Sequence, residues 1–236
     1  MDVIIIKINE LNMIIIIGAS KGIGKFLFEN FKTLDMDVLG TYNTTLSNKN
    51  KLSKIDVTDF NQVFEWIESE KHLLNNVTLI NCAGVTYNSF AHKSDPELWK
   101  KVIDVNLIGS FNCIRAILPI MRSQKFGRII NFSSVVAAKG TPGISAYAAS
   151  KSALWGMSKS LAQENAGLNI TINNINLGYS KLGMINQVPK EFLDILVNQI
   201  PVKKLCEPID IFRTVQYLID CDYINGSSID LNGGLI

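Results

Sequence analysis

The sequence predicts a doubly wound α/β fold, with one mostly parallel sheet of seven strands covered by helices on both faces. Three observations point to it. Short apolar, β-branched runs recur at 14–17, 36–41, 52–56, 77–81, 128–133, 170–176 and 228–231, the third being the weakest. Between them lie longer stretches with helical spacing, such as Phe60, Val63, Phe64 and Ile67, or Trp99, Val102, Ile103 and Asn106. Strand alternates with helix throughout, as parallel neighbours require, because each return to a parallel strand needs a crossover of about a dozen residues or more.

A length of 236 residues suits one domain over 13–236, and a composition 47% hydrophobic and 19% charged supplies its core. Residues 1–12 precede the first required strand, and two readings of them stay open: an extra strand, or a leader ahead of Met13. The formal charge of +2 arises from 23 basic and 21 acidic residues without a clustered basic stripe, which argues against a nucleic-acid partner. Cys82, Cys113, Cys206 and Cys221 are too widely spaced for a disulfide framework or a C-x-x-C site, so reduced thiols in a cytoplasmic protein are expected. The apolar runs 3–6 and 13–17 are separated by polar residues and fall short of the ~18–20 residues of a membrane span.

The first strand, four isoleucines at 14–17, leads into Gly18-Ala-Ser-Lys-Gly-Ile-Gly24. Gly18 to Gly22 satisfies G-x-S-x-G, the turn that presents a nucleophilic serine in hydrolases. That chemistry needs a later histidine, yet the chain has only His72 and His92. A histidine-based metal site is equally hard to assemble, and no metal is expected. A phosphate loop of the G-x-x-x-x-G-K-[ST] type fails at Ala19 and Phe26. A dinucleotide turn fits the strand–turn–helix context, because Gly18, Gly22 and Gly24 let backbone N–H groups approach a pyrophosphate at the helix N-terminus. Ser20, Lys21 and Ile23 then belong to the cradle. The spacing by itself is weak, since a turn needed only for packing would look similar.

The second strand ends with Tyr42 and Asn43, the third leads to Asp56 and Val57, and the fourth to Asn81-Cys-Ala-Gly84. Asn106 lies on the next helix. The fifth strand runs into Ser134, and a helix from about Ser145 to Ala166 carries Tyr147 and Lys151. Positions i and i+4 share a helix face, so the Lys151 ammonium can approach the Tyr147 phenol. A unit charge at ~4 Å and an effective dielectric of ~20 contributes about 4 kcal/mol, which would lower the phenol by roughly three pH units as an upper bound. Such a phenol can exchange a proton near neutral pH. An isolated Y-x-x-x-K is more often simple packing of an aromatic ring under a lysine stem.

Together these segments resemble the short-chain dehydrogenase/reductase family, nearest to 3-oxoacyl-acyl-carrier-protein reductases, from Met13 to the C-terminus. The resemblance rests on the turn at 18–24, Asp56-Val57, Asn81-Cys-Ala-Gly84, Asn106 in Asp104-Val-Asn-Leu, Ser134, Tyr147, Lys151 and the closing Asn232-Gly-Gly. It implies a Rossmann-type dinucleotide-binding catalytic domain with ketoreductase activity. Tyr147 would protonate a carbonyl oxygen as hydride arrives, Ser134 would hold that oxygen, and Lys151 would lower the tyrosine pKa and bind the nicotinamide ribose. Asn106 would hold a relay water or bond a kinked helix backbone. Asp56 and Val57 would flank the adenine, or Asp56 would serve as a turn or capping residue. Asn81, Ala83 and Gly84 would line the adenine ribose, and Gly178 would contact the cofactor.

Tyr42 stands where NAD-specific sites carry an acid, ~20 residues past the glycines. With Lys21 nearby and Asn43 to Thr45 as donors, NADP(H) is favoured and NAD(H) is not excluded. The family's Pro-Gly and threonine are replaced at Leu177 and Leu182, with Ser180 a substitute from a shifted loop. A lid is expected over 183–205, with Phe192, Leu193, Leu196 and Val197 on one face. The substrate would be a small-molecule or acyl-thioester carbonyl. An acyl carrier protein is a candidate partner, with Arg122, Lys125 and Arg128 as basic residues at the mouth. A homo-oligomer, by resemblance a tetramer, is expected from the small residues Ala148, Ala149, Ser152 and Ala153 and from the apolar C-terminus. An NAD(P)-linked alcohol or sugar dehydrogenase and a cofactor-binding scaffold without turnover are the alternatives.

Overall fold

A computed structural model describes residues 12–34, 36–44, 52–183, 185 and 190–236. The extension before Asn12, Thr45 and the Phe192 side chain lie outside the described residues. The strands β1 (Ile14–Ile17), β2 (Val38–Tyr42), β3 (Ser53–Lys54), β4 (Thr78–Asn81), β5 (Gly127–Ser134), β6 (Ile170–Leu177) and β7 (Ser228–Leu231) form one sheet in the order β3-β2-β1-β4-β5-β6-β7. Every pairing is parallel. The weak third run contracts to Ser53–Lys54 because it pairs on one side only, at the sheet edge.

The helices are α1 (Gly22–Thr33), α2 (Phe60–Glu70), α3 (Pro96–Ile103), α4 (Gly109–Gln124), α5 (Val136–Lys139), α6 (Ser145–Asn165), α7 (Lys190–Gln199) and α8 (Pro208–Asp220). Strand periodicity divides the core into two layers. Ile15, Ile17, Leu79, Ile129 and Ile172 pack with α2, α4 and α6, whereas Ile14, Ile16, Ile80, Ile130 and Ile175 pack with α1 and α8. Runs of consecutive isoleucine follow from burial on both faces.

Two helix starts are set by aspartates: Asp59 accepts from Asn61 N and Gln62 N, and Asp95 accepts from Glu97 N and Leu98 N with Pro96 following. The Pro96–Gln124 helical stretch is long and apolar enough to cross a bilayer, but half of its apolar window is buried in this fold. It is interrupted at Asp104–Ile108 by a π-helical turn that contains Asn106. Such turns are frequent at functional sites.

Candidate active site

The glycine turn closes on itself and on its neighbours. Gly18 has φ +84°, and a Cβ there would lie 2.9 Å from the Ala83 backbone. At Gly24 a Cβ would overlap the Gly18 carbonyl oxygen and stand 2.9 Å from its carbon. Gly18 N donates to Thr41 Oγ1 at 3.1 Å, and Ala19 N donates to Thr41 O at 2.7 Å. The α1 N-terminus that follows has no side-chain cap and no acid in its first turn, and the residue before it is the exposed Lys21. Uncapped N–H groups, the positive end of the helix dipole and a cradle that a Cβ would fill fit a pyrophosphate. Ser20 is half-buried beside them. Ile23 instead packs against the second core layer.

At the β2 and β3 ends, Tyr42 is half-buried and Asn43 exposed. Asp56 accepts from Thr58 N at 2.9 Å and Thr58 Oγ1 at 2.8 Å, which realises the turn role. Burial pushes its carboxyl upward, but the Thr58 and Asn43 hydrogen bonds and nearby Lys101 outweigh it and leave the group below its ordinary value. Val57 is buried, with its carbonyl accepting from Asn112 Nδ2 at 2.9 Å.

Asn81 donates to Asn131 Oδ1 at 2.8 Å within the sheet. Asn106 is buried, and its amide grips the loop after β4: Val85 N donates to Oδ1 at 2.8 Å, and Nδ2 donates to Val85 O at 2.9 Å and Ser150 Oγ at 3.0 Å. Its side chain therefore bonds a neighbouring loop rather than its own helix. Ser150 Oγ in turn donates to Tyr147 O at 2.8 Å, linking Asn106 to the α6 backbone. A Cβ at Gly84 would lie 3.4 Å from Asn106 Oδ1 and 3.7 Å from Lys151 Nζ, so the loop runs directly past both.

Ser134 ends β5, where its hydroxyl accepts from Val136 N at 3.4 Å and stands near enough to the Tyr147 phenol to favour that phenol's ionised form. Lys151 is buried, with Nζ donating to Phe132 O at 2.6 Å and lying 5.6 Å from the Tyr147 ring centroid. The expected lowering of the tyrosine by lysine is not found. Burial holds the Tyr147 phenol above its ordinary value, with the Ser134 hydroxyl pulling weakly the other way. Burial also brings Lys151 from 10.5 down to about 8. Both groups are desolvated, which disfavours the charged form of each and outweighs the attraction between them at the tyrosine.

The three cations expected at the mouth are placed elsewhere. Arg128 is the second residue of β5, and six residues along a strand put it ~20 Å from Ser134. Its guanidinium is buried and donates to Ile219 O at 3.0 Å and to Gly127 O and Asn169 O at 2.9 Å. Arg122 binds Asn165 Oδ1 at 2.6 Å and Lys125 caps the end of α4, so all three cations gather at the amino ends of the strands, away from the mouth. Gly178 is required by packing, since a Cβ would meet Asn232 Cα at 2.8 Å. Ser180 is buried and donates to Leu182 O at 3.1 Å, which spends its hydroxyl inside the loop. Leu182 packs against the second core layer, giving the departure from threonine a structural reason. In the lid segment, Leu193, Leu196 and Val197 are half-buried on α7.

Thr41, Ser133, Ser150 and Trp155 went unnoticed in the sequence. A signal existed for part of this network: Asn131, Asn174 and Asn176 stand among the apolar residues of strands buried on both faces. Pairing aligns Ile17, Asn81, Asn131, Asn174 and Ser228 in one row across the sheet. Asn131 donates to Ser158 Oγ at 3.1 Å, and Ser158 donates to Asn174 Oδ1 at 2.9 Å, tying α6 to that row.

The catalytic and cofactor-binding candidates other than Asn106, Tyr147 and Lys151 lie at or just beyond a strand's carboxyl end, where doubly wound sheets bind ligands. Comparison with known proteins agrees with this geometry. The sequence profile of the short chain dehydrogenase family matches residues 12–192. An acetoacetyl-CoA reductase of Shinella zoogloeoides is 35% identical over 232 residues, covering 93% of this chain and 96% of that protein. A 3-oxoacyl-acyl-carrier-protein reductase of Staphylococcus epidermidis is 32% identical over 237 residues, covering 94% and 97%. The ligand-free aldohexose dehydrogenase of Thermoplasma acidophilum superposes with a TM-score of 0.87 at 25% identity, covering 95% of this chain and 93% of that one. With its parallel sheet, glycine turn and serine–tyrosine–lysine cluster, this chain belongs to the short-chain dehydrogenase/reductase family and is an oxidoreductase of that type.

Proposed function

We propose that the chain is an NADPH-dependent ketoreductase acting on a 3-oxoacyl thioester, with Tyr147 as proton donor. The observation that supports this most is the convergence of the Ser134 hydroxyl, the Tyr147 phenol and the Lys151 ammonium beside the open backbone of Gly84. A bound nicotinamide supplies hydride to the carbonyl carbon. Tyr147 gives its phenolic proton to the carbonyl oxygen, and the Ser134 hydroxyl donates to that oxygen as charge develops on it. Burial keeps the phenol protonated until charge develops on the carbonyl oxygen. Lys151, about 8, is mostly protonated at neutral pH and stabilises the tyrosinate left behind. Asn106 holds the loop from Gly84 to Val85 against α6 through Ser150, which keeps the relay side of the site in place.

Acetoacetyl-CoA and 3-oxoacyl-acyl-carrier-protein reductases among the relatives support the thioester class. Tyr42 and Lys21 support NADP(H) over NAD(H). Tyr42→Asp should move the preference toward NADH by repelling a 2′-phosphate, and calorimetry giving equal affinities in the wild type would remove the argument. A carrier protein, if it delivers the substrate, does so without Arg122, Lys125 and Arg128. A cytoplasmic homo-oligomer completes the reading, with the small residues of α6 and the C-terminal strand as its contacts. Light scattering that gives only a monomer of 26.2 kDa would contradict it. The aldohexose dehydrogenase likeness favours sugar oxidation as the second reading. A panel of 3-oxoacyl thioesters, free ketones and aldoses, followed at the nicotinamide absorbance with NADPH or NADH, decides between the two.

A further inference from the structure

A second line of polar contacts crosses the buried interface between α6 and the sheet, and it ends on the backbone of Lys151. Asn176 Nδ2 donates to Asp230 Oδ1 at 2.9 Å. The Trp155 indole N–H is shared between Asn176 Oδ1 at 2.8 Å and Ser133 Oγ at 2.9 Å. Ser133 Oγ donates its one proton to Lys151 O at 3.0 Å. An indole nitrogen is only a donor, so it forces Ser133 to act as acceptor toward Trp155 and leaves its proton nowhere to go but Lys151 O. The donations therefore run outward from Trp155, to Asp230 by way of Asn176 and to Lys151 O by way of Ser133. The last link joins the residue preceding Ser134 on β5 to a peptide one helical turn past Tyr147 on α6. Ser133 and Asn176 are both buried, so few other partners compete.

We propose that Trp155 is a positioning residue for the reaction: its N–H, seated on Asn176, orients the Ser133 hydroxyl and thereby sets the spacing between Ser134 and the Tyr147–Lys151 pair. This rests on the function proposed above. The need for such a clamp is physical. The two halves of the site sit on different elements, and a misplacement of ~1 Å costs on the order of 10²-fold in rate. The clamp holds the Lys151 backbone on the Ser134 side and does not reach the glycine turn, so turnover should fall much more than cofactor affinity.

The test uses the full chain and three variants. Trp155→Phe keeps the ring and removes the N–H; Asn176→Leu keeps the volume and removes the seat; the double variant removes both. The expected result is a kcat lowered ~10-fold in each single variant, with NADPH Kd within about twofold of wild type. The double variant should be no worse than the worse single one, because both changes break one path. Multiplying losses, or a fall in NADPH affinity matching that in kcat, would overturn the clamp. The second measurement is independent of turnover: the Tyr147 titration midpoint, read by NMR on tyrosine-labelled protein and assigned with Tyr147→Phe. Moving Ser134 away from the phenol should shift it to higher pH in Trp155→Phe and in Asn176→Leu, and an unmoved midpoint would overturn the clamp. If Trp155→Phe does not fold, Asn176→Leu carries both measurements. Wild-type protein inert toward every carbonyl offered would refute the proposed function, and the titration alone would then decide the clamp.

Discussion

Replacing Lys151 by methionine should make the stability difference between wild type and variant depend on pH in one direction. Lys151 donates to Phe132 O at 2.6 Å, and burial holds it at about 8 against 10.5 ordinarily. Between those values the native chain has released a proton that the unfolded chain still holds, so wild-type stability rises with pH across the window. At ~1.4 kcal/mol per pH unit the whole window is worth ~3 kcal/mol, of which ~2 kcal/mol is recovered by about pH 9.5. Lys151→Met cannot exchange that proton, and titrations common to both proteins cancel in the difference. The absolute difference at neutral pH is less telling, because the variant relieves a buried charge while leaving Phe132 O unpaired at ~1–3 kcal/mol. Equilibrium urea unfolding of both proteins, at one protein concentration and at half-unit steps from pH 7 to about 9.5, measures the trend. The wild type should gain ~2 kcal/mol relative to the variant. A flat difference, or one that favours the variant as pH rises, would refute the buried, depressed lysine.

Tyr147→Phe should lower reduction by ~10²-fold or more while NADPH Kd and Tm stay near wild type, and an unchanged rate on a verified substrate would remove the tyrosine from its role. Gly24→Ala should destabilise by ~1–3 kcal/mol or more and abolish NADPH binding, because its Cβ has no room beside Gly18. Gly156→Ala, on an exposed part of α6 with nothing near the added carbon, should instead raise stability by ~0.5–1 kcal/mol; thermal melts compare the two. Arg128→Met should cost ~3 kcal/mol by leaving the Ile219 and Asn169 carbonyls without their donor, with kcat unaltered; a loss of thioester reduction at unchanged stability would show that Arg128 meets substrate after all.

Much of this protein was readable from residue order, because the informative features are local. Four consecutive isoleucines need a strand buried on both faces, a glycine turn needs a helix behind it, and Tyr147 and Lys151 share a helix face by spacing alone. The seven runs accordingly became seven strands, with ends shifted by a few residues where pairing, not propensity, sets the length. Electrostatics was misread because it depends on solvent. A Tyr-x-x-x-Lys pair looks alike in water and in a core, yet burial reverses the expected direction at the tyrosine and depresses the lysine. Arg128 was misplaced because a cation near a strand carries no mark of which strand end faces the site. Trp155, Ser133 and Asn176 lie on three different elements, and their hydrogen bonds exist only once β5, β6 and α6 are packed. Local spacing selects the elements and the chemical groups; the distances between groups on separate elements, and the water left around them, are properties of the packed chain.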